Sequence, residues 1–228
     1  MIDGTKAILL AIDVQNDFCP AYTTVSGVPR RAGALAVPKG DEVMEPLNRL
    51  GARVVRAGGR LIATQDWHPS GHISFAAAHP EKVPGDTVWS PGGGEQVLWP
   101  DHAVQGSPGA AFHDRFEADR ASLILRKGFR ADLDSYSAFF ENDRKTSTGL
   151  DGLLRGLGVT TVIAGGLATD YCVLYSVLDA VRLGYTTMVL IDAVRGVDYP
   201  EGSVEQAFRA MGEAGVILTD SFEVEGSL

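Results

Sequence analysis

Six short apolar segments, separated by longer stretches, most strongly constrain the fold of this 228-residue sequence. The first, KAILLAID, is a continuous run rich in branched side chains, as expected for a strand buried on both faces. The other five are RLIATQDWH, SLILRKG, VTTVIAGG, YTTMVLIDA and VILTD. Segments with helical spacing and a glycine stop, such as TDYCVLYSVLDAVRLG, lie between strands. We therefore predict an α/β fold with a doubly wound, mainly parallel six-stranded sheet and helices on both faces.

Length and composition limit the number of domains and the class of partner. A single α/β domain of this length can bury most of its apolar surface, and no linker or repeat divides the chain, so we predict one domain over residues 1–228. The formal net charge of −9 argues against nucleic acid, which requires clustered lysine and arginine. We expect a small-molecule substrate instead.

The cysteine content and the apolar runs indicate the compartment. Two cysteines cannot form a disulfide framework, so a reducing cytoplasm is expected. The first apolar run is interrupted by Asp13 and lacks a basic leader, which indicates a strand and not a signal peptide. No run is long enough to cross a bilayer, so no membrane partner is expected.

Local signals predict several helix starts and one functional segment. Pro46 indicates a helix that begins near it or has a kinked first turn. Ser203 and Gln206 form a capping-box pattern. Thr169 or Asp170 is a candidate N-cap for the helix that carries Cys172. The stretch 69–114 is rich in glycine, proline and histidine with little periodicity, and such a long irregular segment is usually functional.

Reactive side chains follow four of the predicted strands. Asp13 ends the first strand, QDWH ends the second, Lys127 ends the third, and Cys172 follows the fourth. Ligands of parallel sheets bind beyond the carboxyl ends of the strands, so these groups should converge in one cleft.

Each of these groups has a structural and a chemical interpretation. Cys172 is either an inert apolar residue or a nucleophile whose thiolate is favoured at a helix N-terminus. Asp13 is either a turn former or the base that accepts the thiol proton, and Lys127 is either a strand-end ion pair or a partner of that chemistry. Their convergence at one edge favours the chemical interpretation. Cys19, in a loop, is predicted to be structural.

A candidate metal site lies beside them. Asp66 and His68 are two residues apart, so on an extended strand both side chains point the same way. His102, in the irregular segment that follows, is a candidate third ligand. The alternative is a surface aspartate with ordinary loop histidines. His79 and His113 have no comparable context, and we predict that they are solvated. A ligand set of two histidines and one aspartate with open positions suits Zn²⁺, Fe²⁺ or Mn²⁺, and we favour one zinc ion.

The blocks DVQNDF, QDWH, WPDHAVQGSPGA, KG and GGLATDYCV resemble the isochorismatase-like cysteine hydrolases, and most closely their nicotinamidase (pyrazinamidase) branch. This resemblance implies that Asp13, Lys127 and Cys172 form a catalytic triad. It also implies the metal ligands, which are Asp66, His68 and His102. His72 matches a position that binds metal only in some members, so its role is left open.

The resemblance further implies the substrate contacts. A cis peptide bond is expected between Leu167 and Ala168, where the Ala168 and Cys172 N–H groups would face the substrate carbonyl oxygen. Phe18 and Trp99 match the aromatic walls of a pyridine site, with core packing as the alternative for Phe18. The sequence departs from the usual pattern at Ala103, at Leu167 and in a lengthened loop over residues 81–96.

The implied activity is hydrolysis of nicotinamide, and also of pyrazinamide, through a cysteine thioester with metal assistance. A homo-oligomer is expected. Three alternatives are an amidohydrolase of N-carbamoyl or ureido compounds, a non-catalytic binding protein and a vinyl ether hydrolase. The metal cluster argues against the first, the intact triad against the second and Cys172 against the third.

Overall fold

The computed structural model describes residues 1–228. The chain forms ten strands and five α-helices. In chain order the strands are β1 (Ala7–Ile12), β2 (Tyr22–Thr23), β3 (Pro29–Arg30), β4 (Arg60–Asp66), β5 (Thr87–Trp89), β6 (Glu95–Val97), β7 (Ala121–Lys127), β8 (Thr161–Leu167), β9 (Thr186–Arg195) and β10 (Ile217–Thr219). The helices are α1 (Met44–Arg56), α2 (Leu150–Gly156), α3 (Leu174–Arg182), α4 (Ser203–Glu213) and α5 (Ser221–Ser227).

The main sheet has six strands in the order β10-β9-β8-β1-β4-β7, and every neighbouring pair is parallel. This confirms the α/β fold and the six strands predicted from the apolar runs. All six residues of β1 are buried, because helices cover both faces of this central strand. The edge strand β7 alternates between exposed and partly buried residues over most of its length.

Two apolar layers cover the two faces of the sheet. Alternate residues of β1 point to opposite faces, so Leu9 packs in one layer and Leu10 in the other. Buried residues of α1 and α5 complete the layer that contains Leu9. Buried residues of α2, α3 and α4 complete the layer that contains Leu10. Helices therefore cover both faces, as the alternation of elements predicted.

The helix starts differ in part from the predictions. Helix α1 begins at Met44, so Pro46 lies in its first turn. This agrees with the prediction of a helix that begins near Pro46. The capping box at Ser203 is wrong, because the residue before α4 is Gly202 and the Ser203 hydroxyl donates to Asp170 Oδ2 instead. That long-range hydrogen bond replaces the local one that the capping pattern indicates.

The turn that precedes α3 is also different from the prediction. Residues Thr169–Val173 form one π-helical turn that follows Ala168, and no side chain caps it. Asp170 instead accepts hydrogen bonds from the backbone N–H groups of Val197 and Asp198 at 3.0 and 2.9 Å. Asp170 therefore ties the turn that contains Cys172 to the segment before α4.

The irregular segment 69–114 contains some regular structure. Strands β5 and β6 pair as an antiparallel hairpin, and this hairpin contains most of the lengthened loop 81–96. No helix in the fold combines the length and the apolar character needed to span a bilayer.

Replacing Leu10 by alanine should lower the free energy of unfolding by about 2–5 kcal/mol, because Leu10 is fully buried at the centre of the sheet. Leu218, which is 41% exposed on the edge strand β10, is the matched control, and Leu218→Ala should cost less than about 1 kcal/mol. Urea unfolding followed by circular dichroism measures both. Equal losses would contradict the central position of β1.

Candidate active site

The carboxyl ends of β1 and β7 and the turn after β8 bring three reactive groups into contact. Lys127 Nζ lies 2.8 Å from Asp13 Oδ2 and 3.4 Å from Cys172 Sγ. The Asp13 carboxylate and Cys172 Sγ lie within 4.8 Å of one another. All three side chains are buried. The convergence predicted from the strand ends is therefore present.

Lys127 is held by four contacts. Besides Asp13 and Cys172, its ammonium lies 2.5 Å from Asp66 Oδ1 and donates to the Ser135 carbonyl oxygen at 2.9 Å. Complete burial would lower the pKa of Lys127, but the Asp13 and Asp66 carboxylates outweigh this effect and raise the pKa well above its ordinary value. The lysine is therefore a permanent cation at neutral pH.

Asp13 has one carboxylate oxygen engaged and one available. The residue follows β1 in a left-handed conformation with φ of 49°, which turns its side chain toward the cleft. The Thr64 hydroxyl donates to Oδ1 at 2.6 Å, while Oδ2 accepts no well-aligned hydrogen bond although Lys127 is close. Burial raises the pKa of Asp13 against the opposing effect of Lys127. Oδ2 is consequently suited to accept a proton.

Cys172 requires such a base. It lies in the π-helical turn before α3, and burial raises the pKa of its thiol well above the ordinary value, even with Lys127 beside it. The position at a helix terminus therefore does not by itself produce a thiolate. Burial also raises the pKa of Cys19, to about 12. Cys19 lies in the apolar core, as expected for a structural cysteine.

Asp66, His68 and His102 form a second cluster, in which one ligand atom from each lies within 4.8 Å of the others. Backbone carbonyl oxygens lie 2.8 Å from His68 Nδ1 and 2.7 Å from His102 Nδ1. A carbonyl can only accept, so each Nδ1 carries a hydrogen, and each Nε2 is the atom that would bind a metal when the imidazole is neutral. These Nε2 atoms lie 3.5 and 4.0 Å from Asp66 Oδ2.

This donor set fits a divalent transition metal. Asp66 divides its carboxylate between Lys127 on Oδ1 and the two imidazoles on Oδ2. Burial, together with the charge of His68, lowers the pKa of His102 to about 4, so His102 is neutral at physiological pH. Burial lowers the pKa of His68, but the Asp66 carboxylate outweighs this effect and raises it, so metal binding would displace a proton from this imidazole. With both imidazoles neutral, their two nitrogens and one carboxylate oxygen suit Zn²⁺, Fe²⁺ or Mn²⁺.

The structure favours a glycine at position 128, directly after Lys127. The residue has φ of 63°, a region that favours glycine, and its carbonyl oxygen is the partner of His68 Nδ1. A Cβ atom at this position would lie 2.5 Å from His68 Cε1. The KG pair of the sequence therefore serves both clusters.

The remaining histidines lie elsewhere. His72 stacks on His68 with 4.2 Å between ring centroids, and it forms a separate group with His68 and Asp134 instead of joining Asp66 and His102. The prediction that His113 is solvated is wrong, and His79 fits the same prediction only in part. His113 is buried against Tyr22, and His79 is partly buried beside the Ile73 carbonyl oxygen.

A cavity borders both clusters, and it is lined by Cys172 from the first and by Asp66, His68 and His102 from the second. The predicted aromatic residues Phe18 and Trp99 both line it, as does Ala168, and the Leu167–Ala168 peptide bond is cis. Phe18 also packs in the apolar core, so both of its interpretations apply. Beyond the predicted residues, the cavity is lined by Leu35, Asp134, Tyr136, Tyr171 and Val197.

The isochorismatase domain model matches residues 7–223. The chain belongs to this family. It is 42% identical over 216 residues to the nicotinamidase of Acinetobacter baylyi, and the aligned region covers 95% of this chain and 93% of that relative.

Solved structures of similar proteins agree with membership of the isochorismatase family. A nicotinamidase and pyrazinamidase from Acinetobacter baumanii superimposes with a TM-score of 0.87 at 43% identity, covering 96% of this chain and 98% of that chain. A pyrazinamidase from Pyrococcus horikoshii, solved in complex with zinc, has a TM-score of 0.72 at 32% identity, covering 94% and 99%.

Several residues of this isochorismatase-family site were not predicted. Thr64 is a buried polar residue inside an apolar strand, and such a polar interruption of an apolar run is a sequence signal that could have indicated a site residue. Asp17 accepts a hydrogen bond from the Ala103 N–H at 2.8 Å and so fixes the loop that carries His102. Asp134 and Tyr136 follow β7 in a polar run, but nothing local places them on the cavity wall.

Replacing His102 by alanine should weaken zinc binding at least about 10–100-fold, because one of the three candidate ligands would be lost. Isothermal titration with zinc on protein stripped by a chelator measures the affinity directly. His79→Ala is the matched control, since His79 lies outside the cluster, and its affinity should equal that of the wild type. Equal affinities for all three proteins would show that the metal binds elsewhere.

Proposed function

We propose that this protein is a nicotinamidase, an amidohydrolase that converts nicotinamide to nicotinate and ammonia and also accepts pyrazinamide. The observation that carries this proposal is the contact of Lys127 Nζ with both Asp13 and Cys172 at the end of an aromatic-lined cavity. The activities named for the relatives from both Acinetobacter species and from Pyrococcus agree with it.

Acylation of the enzyme would begin with proton transfer. Asp13 Oδ2 takes the proton of the Cys172 thiol, and the thiolate attacks the amide carbon to give a tetrahedral intermediate. The carbon–nitrogen bond then breaks, and Asp13 returns its proton to the departing ammonia. The product on the enzyme is a thioester of Cys172.

Hydrolysis of the thioester would use the same base. Asp13 accepts a proton from a water molecule, whose oxygen attacks the thioester carbon. The carbon–sulfur bond breaks, and the proton on Asp13 passes to the sulfur, which restores the thiol and releases nicotinate. Lys127 stays charged throughout and stabilises the anionic forms of Asp13 and Cys172.

The negative oxygen of the tetrahedral intermediate needs donors. We assign this role to the backbone N–H groups of Ala168 and Cys172, which lie at the turn between β8 and α3. Loss of one such donor typically lowers the rate about 10²–10³-fold. Because both donors belong to the backbone, side-chain substitutions at these two positions leave the N–H groups in place.

Metal binding is the second part of the proposal. Asp66, His68 and His102 would hold one divalent ion, most suitably zinc, at the cavity wall. When bound, such an ion supplies Lewis acidity toward a lone pair of the substrate or of water. The neighbouring walls of Phe18 and Trp99 would orient a flat heteroaromatic ring.

Cys172→Ala should lower ammonia release from nicotinamide by at least about 10⁴-fold, because the nucleophile is absent. A coupled assay for ammonia measures the rate, and mass spectrometry of the wild type quenched during turnover should detect an acyl group on the peptide that contains Cys172. Cys19→Ala is the matched control, since Cys19 lies in the core, and it should keep activity within about threefold.

Full activity of Cys172→Ala would exclude the covalent mechanism. A wild type that ignores nicotinamide but hydrolyses an N-carbamoyl compound would instead exclude the proposed substrate.

A further inference from the structure

Gln96, on strand β6 of the hairpin, is a buried polar residue that the proposed mechanism does not use. Its side chain is 2% exposed. The amide nitrogen lies 2.9 Å from Asp134 Oδ2, 2.9 Å from its neighbour's carbonyl oxygen at Val97 and 3.3 Å from Tyr136 Oη. The amide oxygen accepts from Asn142 Nδ2 at 3.3 Å. Every polar atom of this side chain is therefore engaged.

The partners of Gln96 form one wall of the cavity. Asp134 and Tyr136 both line it. The Tyr136 hydroxyl also accepts from Trp99 Nε1 at 3.1 Å, and the Tyr136 N–H donates to Asn142 Oδ1 at 2.9 Å. Between these two residues, the Ser135 carbonyl oxygen accepts from Lys127. Gln96 thus connects the hairpin to a loop, residues 134–136, that lines the cavity and also contacts Lys127.

An amide is well matched to this position. Asp134 is buried, and its carboxylate accepts only two protein hydrogen bonds, from the Ser135 N–H at 2.8 Å and from Gln96. A buried carboxylate that loses one of two donors is strongly destabilised in that orientation. Without the Gln96 donor, Asp134 would have to turn, and the wall that includes Tyr136 would move with it.

We propose that Gln96 is a positioning residue that sets the affinity of the cavity for its aromatic amide substrate by fixing Asp134 and Tyr136. This inference rests on the proposed function for the identity of the substrate. It gives the lengthened hairpin a specific role, because Gln96 is the residue through which β6 acts on the substrate site.

The test compares four proteins in steady-state hydrolysis of nicotinamide. Gln96→Glu places two carboxylates face to face and should raise KM about tenfold while kcat stays within about threefold. The swap Gln96→Glu with Asp134→Asn restores a hydrogen bond of reversed direction, and it should return KM to within about threefold of the wild-type value. Gln105→Glu is the matched control, because Gln105 is exposed and its side chain donates only to the Trp67 carbonyl oxygen, while its backbone bond to the His68 carbonyl oxygen is unaffected by the substitution. Its KM should not change.

Thermal unfolding of each variant separates positioning from general stability. If Gln96 had a purely structural role, Gln96→Glu would lower Tm without raising KM selectively, and the swap would have no rise in KM to reverse. If Gln96→Glu does not fold, Gln96→Met, which keeps the length but loses the donor, has to show the same rise in KM. An unchanged KM in either variant, or a rise that the swap does not reverse, would overturn the inference.

Failure of the proposed function gives a different result. If the wild type does not hydrolyse nicotinamide, the inference can still be tested by alkylation of Cys172 with iodoacetamide, followed on its own peptide by mass spectrometry. Gln96→Glu should then raise the alkylation rate at least about threefold, because a loosened wall exposes the thiol, and the swap should restore it. An alkylation rate that does not respond to either change would overturn the role of Gln96 independently.

Discussion

The buried ammonium of Lys127 is the interaction on which the whole site depends. It contacts the Asp13 carboxylate, the Asp66 carboxylate and the Cys172 sulfur within 2.5–3.4 Å. Transferring a charge from water to the protein interior costs several kcal/mol unless it is paired, and here two carboxylates offset that cost. The reverse also holds, because the charge of Lys127 opposes the rise in pKa that burial causes at both carboxylates. The candidate nucleophile site and the candidate metal site are therefore one electrostatic unit joined at Asp66.

The parallel sheet supplies the geometry for this unit. Four adjacent strands, β8, β1, β4 and β7, end at the same edge and lead respectively to Cys172, Asp13, Asp66 and Lys127. A register shift interrupts the pairing of β4 and β7 at Leu61 and Ile62, and beyond it Asp66 lies directly opposite Lys127. The helices that bury both faces hold this register, because a slip by one residue would turn every side chain to the opposite face. Packing far from the cavity is thus what fixes the distances within it.

The sequence predicts the sheet and most of the site because both depend on local patterns. Apolar runs identify all six strands, and the residues at their ends include Asp13, Asp66 and Lys127. The misses depend on long-range contacts. Ser203 hydrogen-bonds to Asp170 and not to its own helix, and His113 is covered by Tyr22, which is remote in sequence. The wall formed by Gln96, Asp134 and Tyr136 could not be predicted for the same reason, since its members come from a hairpin and a loop that no local periodicity brings together.

The order in which the chain visits these strands has a consequence for synthesis. The sulfur-bearing turn comes after β8, whereas its partners at the edge come from segments that leave the ribosome much earlier. β8 pairs directly with β1, so the central sheet stays incomplete until that late segment emerges. A nascent polypeptide that stops before β8 would carry Lys127 and both of its carboxylate partners but no nucleophile. The catalytic groups can therefore come together only during the last third of translation.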